Sequence, residues 1–171
     1  MEIWDILDKQ GRRTGKTVIR GKRSLSKGEY HLVVHIWIVD ENGRFLLQKR
    51  SNNRSMMRGE WAATGGAAMS GEGSRHAAIR ELREELGIHV SRNQMVLIKR
   101  MVRKYSINDI WAVKVRSDVR LNLQKEEVAQ AKWVEVPVLK EMVESGNYHN
   151  YGKDYFEVIY NIPNRMKNRK F

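Results

Sequence analysis

Residues 65–88 read GGAAMSGEGSRHAAIRELREELGI, and this stretch decides which fold the chain can adopt. From Ser74 to Leu86 the spacing of apolar residues is that of a helix, with Ser74 as a plausible N-terminal cap and Gly87 as a stop signal. The two glycines that open the stretch mark a point where the backbone must turn sharply or approach another group closely. The sequence therefore predicts a loop followed by a helix.

One face of this helix is acidic. At about 100° per residue, Glu81, Glu84 and Glu85 fall together, whereas Leu82 and Leu86 fall on a face that can pack against a sheet. Three carboxylates on one stripe repel one another, and an ordinary surface helix would interleave lysines to relieve the repulsion. A divalent cation would neutralise them, and oxygen ligands on a rigid helix suit Mg²⁺ or Mn²⁺. A helix with an acidic, solvent-exposed face is the alternative.

Around the helix, the pattern predicts β-strands that are rich in β-branched and aromatic residues and are separated by turn signals. The predicted strands cover residues 2–7, 30–39, 45–49, 61–64, 95–103, 107–116 and 132–136, and further helices cover 137–145 and 154–160. This order favours an α/β fold in one domain, residues 1–171. Residues 1–28 form an N-terminal β-hairpin extension of that domain, and residues 137–171 form its C-terminal helices.

The chain is strongly basic. Its 171 residues carry a formal net charge of +12, which favours polyanionic partners such as nucleotides or nucleic acid. The sequence contains no cysteine, which excludes disulfides, thiolate metal sites and a thiol nucleophile. Its longest apolar run, Leu32 to Val39, is interrupted by His35 and is too short to cross a bilayer. We therefore expect a cytoplasmic protein without a membrane partner.

The stretch resembles the Nudix box at every specified position. Gly66 is followed after five residues by Glu72 and after seven more by RELREELGI, residues 80–88. A loop–helix motif with this many constrained positions is far more specific than a lone glycine pattern. The resemblance implies the Nudix fold, a mixed, curved β-sheet sandwiched between α-helices. It also implies Mg²⁺-dependent hydrolysis, with Mn²⁺ as an alternative, of the diphosphate bond in a nucleoside diphosphate linked to another group, X.

The same resemblance implies roles for residues of the box. The metal ligands would be three glutamates and a backbone carbonyl: Glu81, Glu84, Glu85 and either Gly65 or Gly66. Arg80 would orient a glutamate of the helix through charge-assisted hydrogen bonds, and Glu72 would tie the loop to the helix. Arg80 and Glu72 would thus support the ligands, and Gly65 would do the same where Gly66 supplies the carbonyl.

The general base is less well defined by the resemblance. In the family this role falls to the first glutamate of the helix cluster, here Glu81, or to an acid on a later loop. Glu126, Glu127 and Asp109 are the candidates for the later acid, and an exposed charged loop is the alternative for the first two. We favour Glu81 for water activation and Glu127 as an additional catalytic acid. Three basic residues beside the expected cleft could hold phosphates: Lys49, Arg50 and Arg54.

Outside the box, the chain resembles the Nudix branch that includes isopentenyl-diphosphate isomerases and related hydrolases. Residues 30–37, 46–51 and 59–61 carry this likeness. The isomerases use a Cys before the box and a later Glu, but those positions hold Gly65 and Asp109 here. Hydrolysis is therefore preferred over isomerisation, which stays an alternative. We expect His31, at a metal-ligand position of the isomerases, to be a strand histidine satisfied by a hydrogen bond.

The basic charge raises two further hypotheses about function. Hydrolysis at the 5′ end of RNA would combine a diphosphate-cleaving site with the excess of positive charge. A non-catalytic module that binds RNA or nucleotides is the second, and the intact glutamate cluster argues against it because binding alone needs no stacked carboxylates. Homodimers are common in the family, although the sequence gives no information on assembly.

Overall fold

A computed structural model describes residues 1–53 and 56–171. The strands and helices occur in the following order along the chain: β1 (Ile3–Leu7), β2 (Arg13–Ile19), β3 (His31–Val39), β4 (Phe45–Arg50), β5 (Trp61–Ala62), β6 (Thr64–Ala67), α1 (Ser74–Leu86), β7 (Val96–Val102), β8 (Ser106–Lys114), β9 (Val128–Val134), α2 (Val136–Glu144), α3 (Lys153–Ile159) and α4 (Ile162–Met166).

β3 is the central strand of a mixed sheet with the order β5-β4-β3-β8-β7. It runs parallel to β8 along its whole length and antiparallel to two other strands. Val33–Ile36 of β3 pair with β6, and Ile38–Val39 pair with β4, which also pairs with β9. This change of partner lets β6 and the box loop lie directly beside the first half of β3.

Side chains alternate along β3, so apolar residues point to both faces of the sheet. Helices cover both faces. Val34 and Ile36 point into a core that α1 closes with Leu82 and Leu86, whereas Trp37 packs in a second core with the C-terminal helices. Each of these five residues is at most 2% exposed. The predicted α/β arrangement, a mixed sheet between helices, is confirmed.

The box helix has the predicted bounds but a different cap. α1 begins at Ser74 and ends at Leu86, and Gly87 adopts a left-handed conformation (φ 70°) with its N–H donating to the carbonyl of Arg83. The N-cap position is Gly73, so the prediction that Ser74 caps the helix is wrong. The Ser74 hydroxyl instead accepts a hydrogen bond of 2.9 Å from the indole of Trp111.

The N-terminal segment forms the predicted hairpin, in which β1 and β2 pair as a separate antiparallel sheet. This hairpin is fastened to the box loop. Asp5 accepts hydrogen bonds from the Ser70 hydroxyl (2.7 Å) and the Gly71 N–H (2.9 Å), and Arg13 donates to the Glu72 carbonyl (3.1 Å). The hairpin therefore helps to hold the loop that precedes α1.

The C-terminal elements differ from the prediction at their boundaries. β9 begins at Val128, four residues before the predicted strand, because it pairs with β4 from Arg50 back to Phe45. A further short helix, α4, follows the predicted terminal helix, and its Ile162 and Met166 are buried in the core. Within residues 1–53 and 56–171, no helix has the length and apolar character needed to cross a membrane.

Candidate active site

A cavity of about 330 Å³ opens beside the box loop. Its walls come from β3, β6, α1, the N-terminal hairpin, Gln124 and Glu127. Its volume lies at the lower end of the range for small-molecule sites, roughly 300–1,000 Å³. A larger hollow beside Gly87 and Asn122 has no acidic residue in its lining, as far as the described part of the chain extends. The first cavity is therefore the candidate active site.

Arg80 joins the box loop to the acidic face of α1. Its guanidinium donates to both carboxylate oxygens of Glu72 at 2.9 Å and to the Ala67 carbonyl at 3.2 Å. Its third nitrogen donates to Glu81 (2.8 Å) and to Glu84 (2.9 Å). The planar guanidinium thus fixes the loop and two of the helix carboxylates at once, which a lysine could not do.

Glu85 points away from Arg80 and into the protein. It is 1% exposed and accepts hydrogen bonds from the Gln48 side chain (2.9 Å) and from the backbone N–H of Gly65 (3.1 Å). Burial, together with the charges of Glu81 and Glu127, raises the pKa of Glu85 to about 8, and the two hydrogen bonds oppose this increase. Glu85 is therefore a buried carboxylate beside other carboxylates.

Gly65 lets the loop pass closer to β3 than any side chain would allow, and Gly66 lies against the end of the Glu81 side chain. A Cβ on Gly65 (φ 144°) would lie 1.9 Å from the Val34 carbonyl oxygen. A Cβ on Gly66 would lie 2.5 Å from a carboxylate oxygen of Glu81. The first contact explains why position 65 holds a glycine, and the second shows that the Gly66 backbone lies directly against Glu81.

The chemistry of the cluster suits a hard cation. Glu81, Glu84 and Glu127 line the cavity, and Glu85 contacts its wall at Gly65. Burial is the largest influence that raises the pKa of Glu81, and the charges of Glu84 and Glu127 add to it against the opposing charge of Arg80. Oxygen donors that destabilise one another in this way fit Mg²⁺ or Mn²⁺.

The carboxylates of Glu81, Glu84 and Glu85 do not converge on one point. Among residues 1–53 and 56–171, no three acidic or histidine side chains converge closely enough to hold a metal ion. Arg80 holds Glu81 and Glu84, whereas Gln48 draws Glu85 in another direction. Ion binding would therefore require these side chains to exchange hydrogen bonds for metal contacts.

Comparison with known proteins identifies the family. The family model described as the NUDIX domain matches residues 29–151, well over half of the chain. The chain belongs to the Nudix family. It is 37% identical to a Nudix hydrolase of Listeria monocytogenes over 174 aligned residues, which cover 96% of each protein. The prediction of a hydrolase that acts on diphosphate bonds is thereby confirmed.

Solved structures support the Nudix fold of the chain. A crystal structure of a Deinococcus radiodurans protein matches with a TM-score of 0.76 at 19% identity, covering 92% of this chain and 98% of that one. The Nudix domain of Shewanella oneidensis NrtR, crystallised with ADP ribose, matches with a TM-score of 0.62 at 14% identity, covering 86% of this chain and 94% of that one. At these identities the likeness concerns the fold alone.

Of the three candidates for the additional catalytic acid, Glu127 lies at the cavity. Glu127 lines the cavity, and its charge acts on Glu81 and Glu85. Asp109 is fully buried outside the cavity lining and receives hydrogen bonds of 2.7 and 2.8 Å from Arg100. Glu126 is exposed and also lies outside the lining. Asp109 and Glu126 are therefore not placed to act on a substrate in the cavity.

The residues predicted to bind phosphates also do not all line the cavity. Arg50 lines the cavity and is 6% exposed. Lys49 lies outside the lining, because successive side chains of β4 point to opposite sides, and it borders a separate hollow beside Trp61. Lys49 is thus not among the residues that line this cavity. Arg54 lies outside the described residues.

Two site features escaped the sequence prediction. Gln48 holds Glu85, and its only sequence signal is a buried-strand position directly after the apolar residues 45–47. His31 lines the cavity but stacks on Trp4, and its Nδ1 is buried without a hydrogen-bond partner. The expectation that a hydrogen bond satisfies His31 is wrong for this nitrogen. A contact between a hairpin residue and β3 leaves no local trace in the sequence.

Proposed function

We propose that this protein uses a divalent metal ion to hydrolyse a diphosphate bond in a nucleoside diphosphate linked to X. The observation that carries the proposal is the group of box carboxylates around Arg80 at the wall of the cavity. Binding alone would not require these like charges at one site. The ADP ribose in the Shewanella oneidensis structure supports a nucleotide-derived substrate.

The residues that would hold the ion are Glu81, Glu84 and Glu85, together with the backbone carbonyl of Gly66. Mg²⁺ is the proposed ion, with Mn²⁺ as the alternative, because all these donors are oxygens. When bound, such an ion polarises the phosphorus centre and neutralises the charge that develops on the leaving phosphate. Glu72 and Arg80 would hold the loop and the helix in a fixed relative position, so that their oxygens can bind the same ion.

In the proposed reaction, water attacks one phosphorus of the diphosphate and the bridging P–O bond breaks. A proton of the water passes to the carboxylate of Glu81, and the products are two monophosphates. Glu127 lines the same cavity and is proposed as the additional acid. Arg50, also in the lining, is proposed to bind a phosphate of the substrate through its guanidinium.

A screen of diphosphate compounds with and without Mg²⁺ tests this function. Nucleoside diphosphate sugars, ADP ribose and dinucleoside polyphosphates would be compared for wild type, Glu84→Gln and Glu85→Gln. Glu126→Gln is the matched control, because Glu126 is an exposed glutamate outside the cavity lining. We expect at least one compound to be cleaved by wild type and the control, and a loss of about 100-fold or more in both box variants. Equal turnover by all four proteins would reject the assignment of the ligands.

Isomerisation of an isoprenoid diphosphate is the rival reaction that the likeness to the isomerase branch raises. The positions of the isomerase acid and base hold Gly65 and Asp109, and the carboxylate of Asp109 is engaged by Arg100. These departures favour hydrolysis. Incubation with isopentenyl diphosphate distinguishes the two reactions, because isomerisation releases no phosphate.

Cleavage at the 5′ end of RNA remains a narrower alternative that the charge of +12 favours. An RNA substrate would lose affinity steeply as salt increases, whereas a mononucleotide derivative would lose little. The salt dependence of turnover therefore decides between the two.

We further propose that residues 1–171 act as one domain in which the hairpin is part of the site. A homodimer would be detected by sedimentation.

A further inference from the structure

The N-terminal hairpin supplies one wall of the cavity. Glu2, Trp4 and Arg20 project from the hairpin into the lining, where they meet His31 at the start of β3. Trp4 and His31 are stacked, with ring centroids 4.3 Å apart and planes inclined by 13°. We call these four residues the hairpin wall.

We propose that the hairpin wall binds the heterocyclic base of the substrate's nucleoside. This assignment rests on the proposed function, and it names the part of the substrate that the hairpin would recognise. Flat aromatic side chains are the features with which proteins stack on bases. The guanidinium of Arg20 lies over the Trp4 ring, 5.8 Å from its centre.

The charge of the wall favours an uncharged group over a second phosphate. Both carboxylate oxygens of Glu2 lie 2.9 Å from the same nitrogen of Arg20, so the positive charge of Arg20 is largely matched. Burial, together with the charge of Arg20, lowers the pKa of His31 to about 4, which leaves the imidazole neutral near pH 7. A phosphate would gain little electrostatic attraction from such a wall.

The polar atoms of the wall favour a heterocycle over an isoprenoid chain. Trp4 Nε1 and His31 Nδ1 are both buried and lack a hydrogen-bond partner within the protein. A buried polar group without a partner is unfavourable, and an aliphatic chain offers it none. A base carries both ring nitrogens and exocyclic groups that donate or accept hydrogen bonds, so it matches a wall that is both flat and polar.

The position of the wall suits the length of a nucleotide. Along β3, residues 31, 33 and 35 point to one side, and the last two pair with Ala67 and Gly65 of β6. At about 3.3 Å per residue, His31 lies roughly 13 Å along the strand from His35. A base at His31 would therefore leave room for ribose and diphosphate to extend towards the glycine loop and the box carboxylates.

Calorimetric titration without metal tests this assignment separately from catalysis. The probes are adenosine and cytidine 5′-monophosphate, with ribose 5-phosphate as the ligand that lacks a base, all in EDTA. The proteins are wild type, Trp4→Leu and Arg20→Gln; the last keeps the hairpin fold because Arg20 lies at the exposed end of the hairpin, just after β2. Trp133→Leu is the matched control, since Trp133 lies outside the cavity lining.

We expect wild type to bind at least one nucleotide about tenfold more tightly than ribose 5-phosphate. Trp4→Leu should remove this preference, Arg20→Gln should weaken it about threefold, and Trp133→Leu should leave it unchanged. The assignment is overturned if wild type binds nucleotide and sugar phosphate alike, or if both hairpin variants keep the preference. If the preference behaves as expected but no diphosphate is cleaved in the metal-dependent screen, the proposed function fails and the binding assignment stands.

Discussion

Replacement of Arg80 by lysine should loosen the link between the box loop and α1. The arginine donates two parallel hydrogen bonds of 2.9 Å to Glu72, and both side chains are only 15% exposed. A lysine has one nitrogen at the end of its side chain and cannot span Glu72 together with Glu81 and the Ala67 carbonyl. The substitution therefore leaves at least one partly buried carboxylate without its donor.

The expected loss in the free energy of unfolding is about 2–3 kcal/mol. A hydrogen bond to a charged group contributes roughly 1.5–3 kcal/mol, and the lysine keeps part of the interaction with Glu72. The contact between Arg80 and Glu84 adds little, because the Glu84 side chain is 43% exposed and solvent screens the pair. The bond to Glu81, whose side chain is 12% exposed, belongs to the same network.

Urea denaturation at pH 7 in EDTA measures this loss. Arg80→Lys, Glu72→Gln and the double variant form a cycle, from which we expect a coupling of about 2 kcal/mol between the two positions. Arg83→Lys is the control, since Arg83 is an exposed arginine on the same helix, and it should change stability by less than about 0.5 kcal/mol. A coupling no larger than the effect of the control would refute the reasoning that Arg80 ties the loop to the helix.

Three further perturbations probe the surroundings of the site. Gly65→Ala should destabilise the protein by about 3 kcal/mol or more, measured by thermal unfolding, because its Cβ would lie 1.9 Å from the Val34 carbonyl oxygen; an unchanged melting temperature would contradict this geometry. Burial, aided by nearby positive charges, lowers the pKa of His35 to about 4, so the folded state binds its proton less tightly than the unfolded chain. Stability should then fall as pH decreases from about 6.5 to 4, by roughly 3 kcal/mol more in wild type than in His35→Gln, and parallel profiles would contradict the burial argument. Arg100→Met should cost about 3–5 kcal/mol by leaving Asp109 buried and unpaired, yet the folded enzyme should keep its turnover; a large loss of turnover would place Asp109 in the reaction.

The features that sequence patterns predicted well are local. The bounds of α1 follow from apolar residues at helical spacing and from Gly87, which adopts the left-handed conformation that ends a helix. The β-branched and aromatic run at residues 30–39 became the central strand, because such a run is buried on both faces. The α/β layering follows from these two elements, since each must cover an apolar face of the other.

The features that the sequence left undetermined depend on contacts between distant segments. Gln48 reaches Glu85 across 37 positions, and Trp4 meets His31 only because the hairpin folds back over β3. The same holds for Asp109, whose pairing with Arg100 depends on the register of β7 against β8. Periodicity within one element carries no information on such partners, whereas a motif that spans loop and helix does.

Binding of Mn²⁺ to the ion-free protein, followed by electron paramagnetic resonance, tests the central claim most directly. Wild type and Glu126→Gln should bind the ion at one or more sites, and addition of Mg²⁺ should displace it. Glu81→Gln, which removes a carboxylate charge at the cavity wall, should weaken binding by about tenfold or more while the protein stays folded. Equal affinity of all three proteins for Mn²⁺ would contradict the claim that the box carboxylates hold the ion.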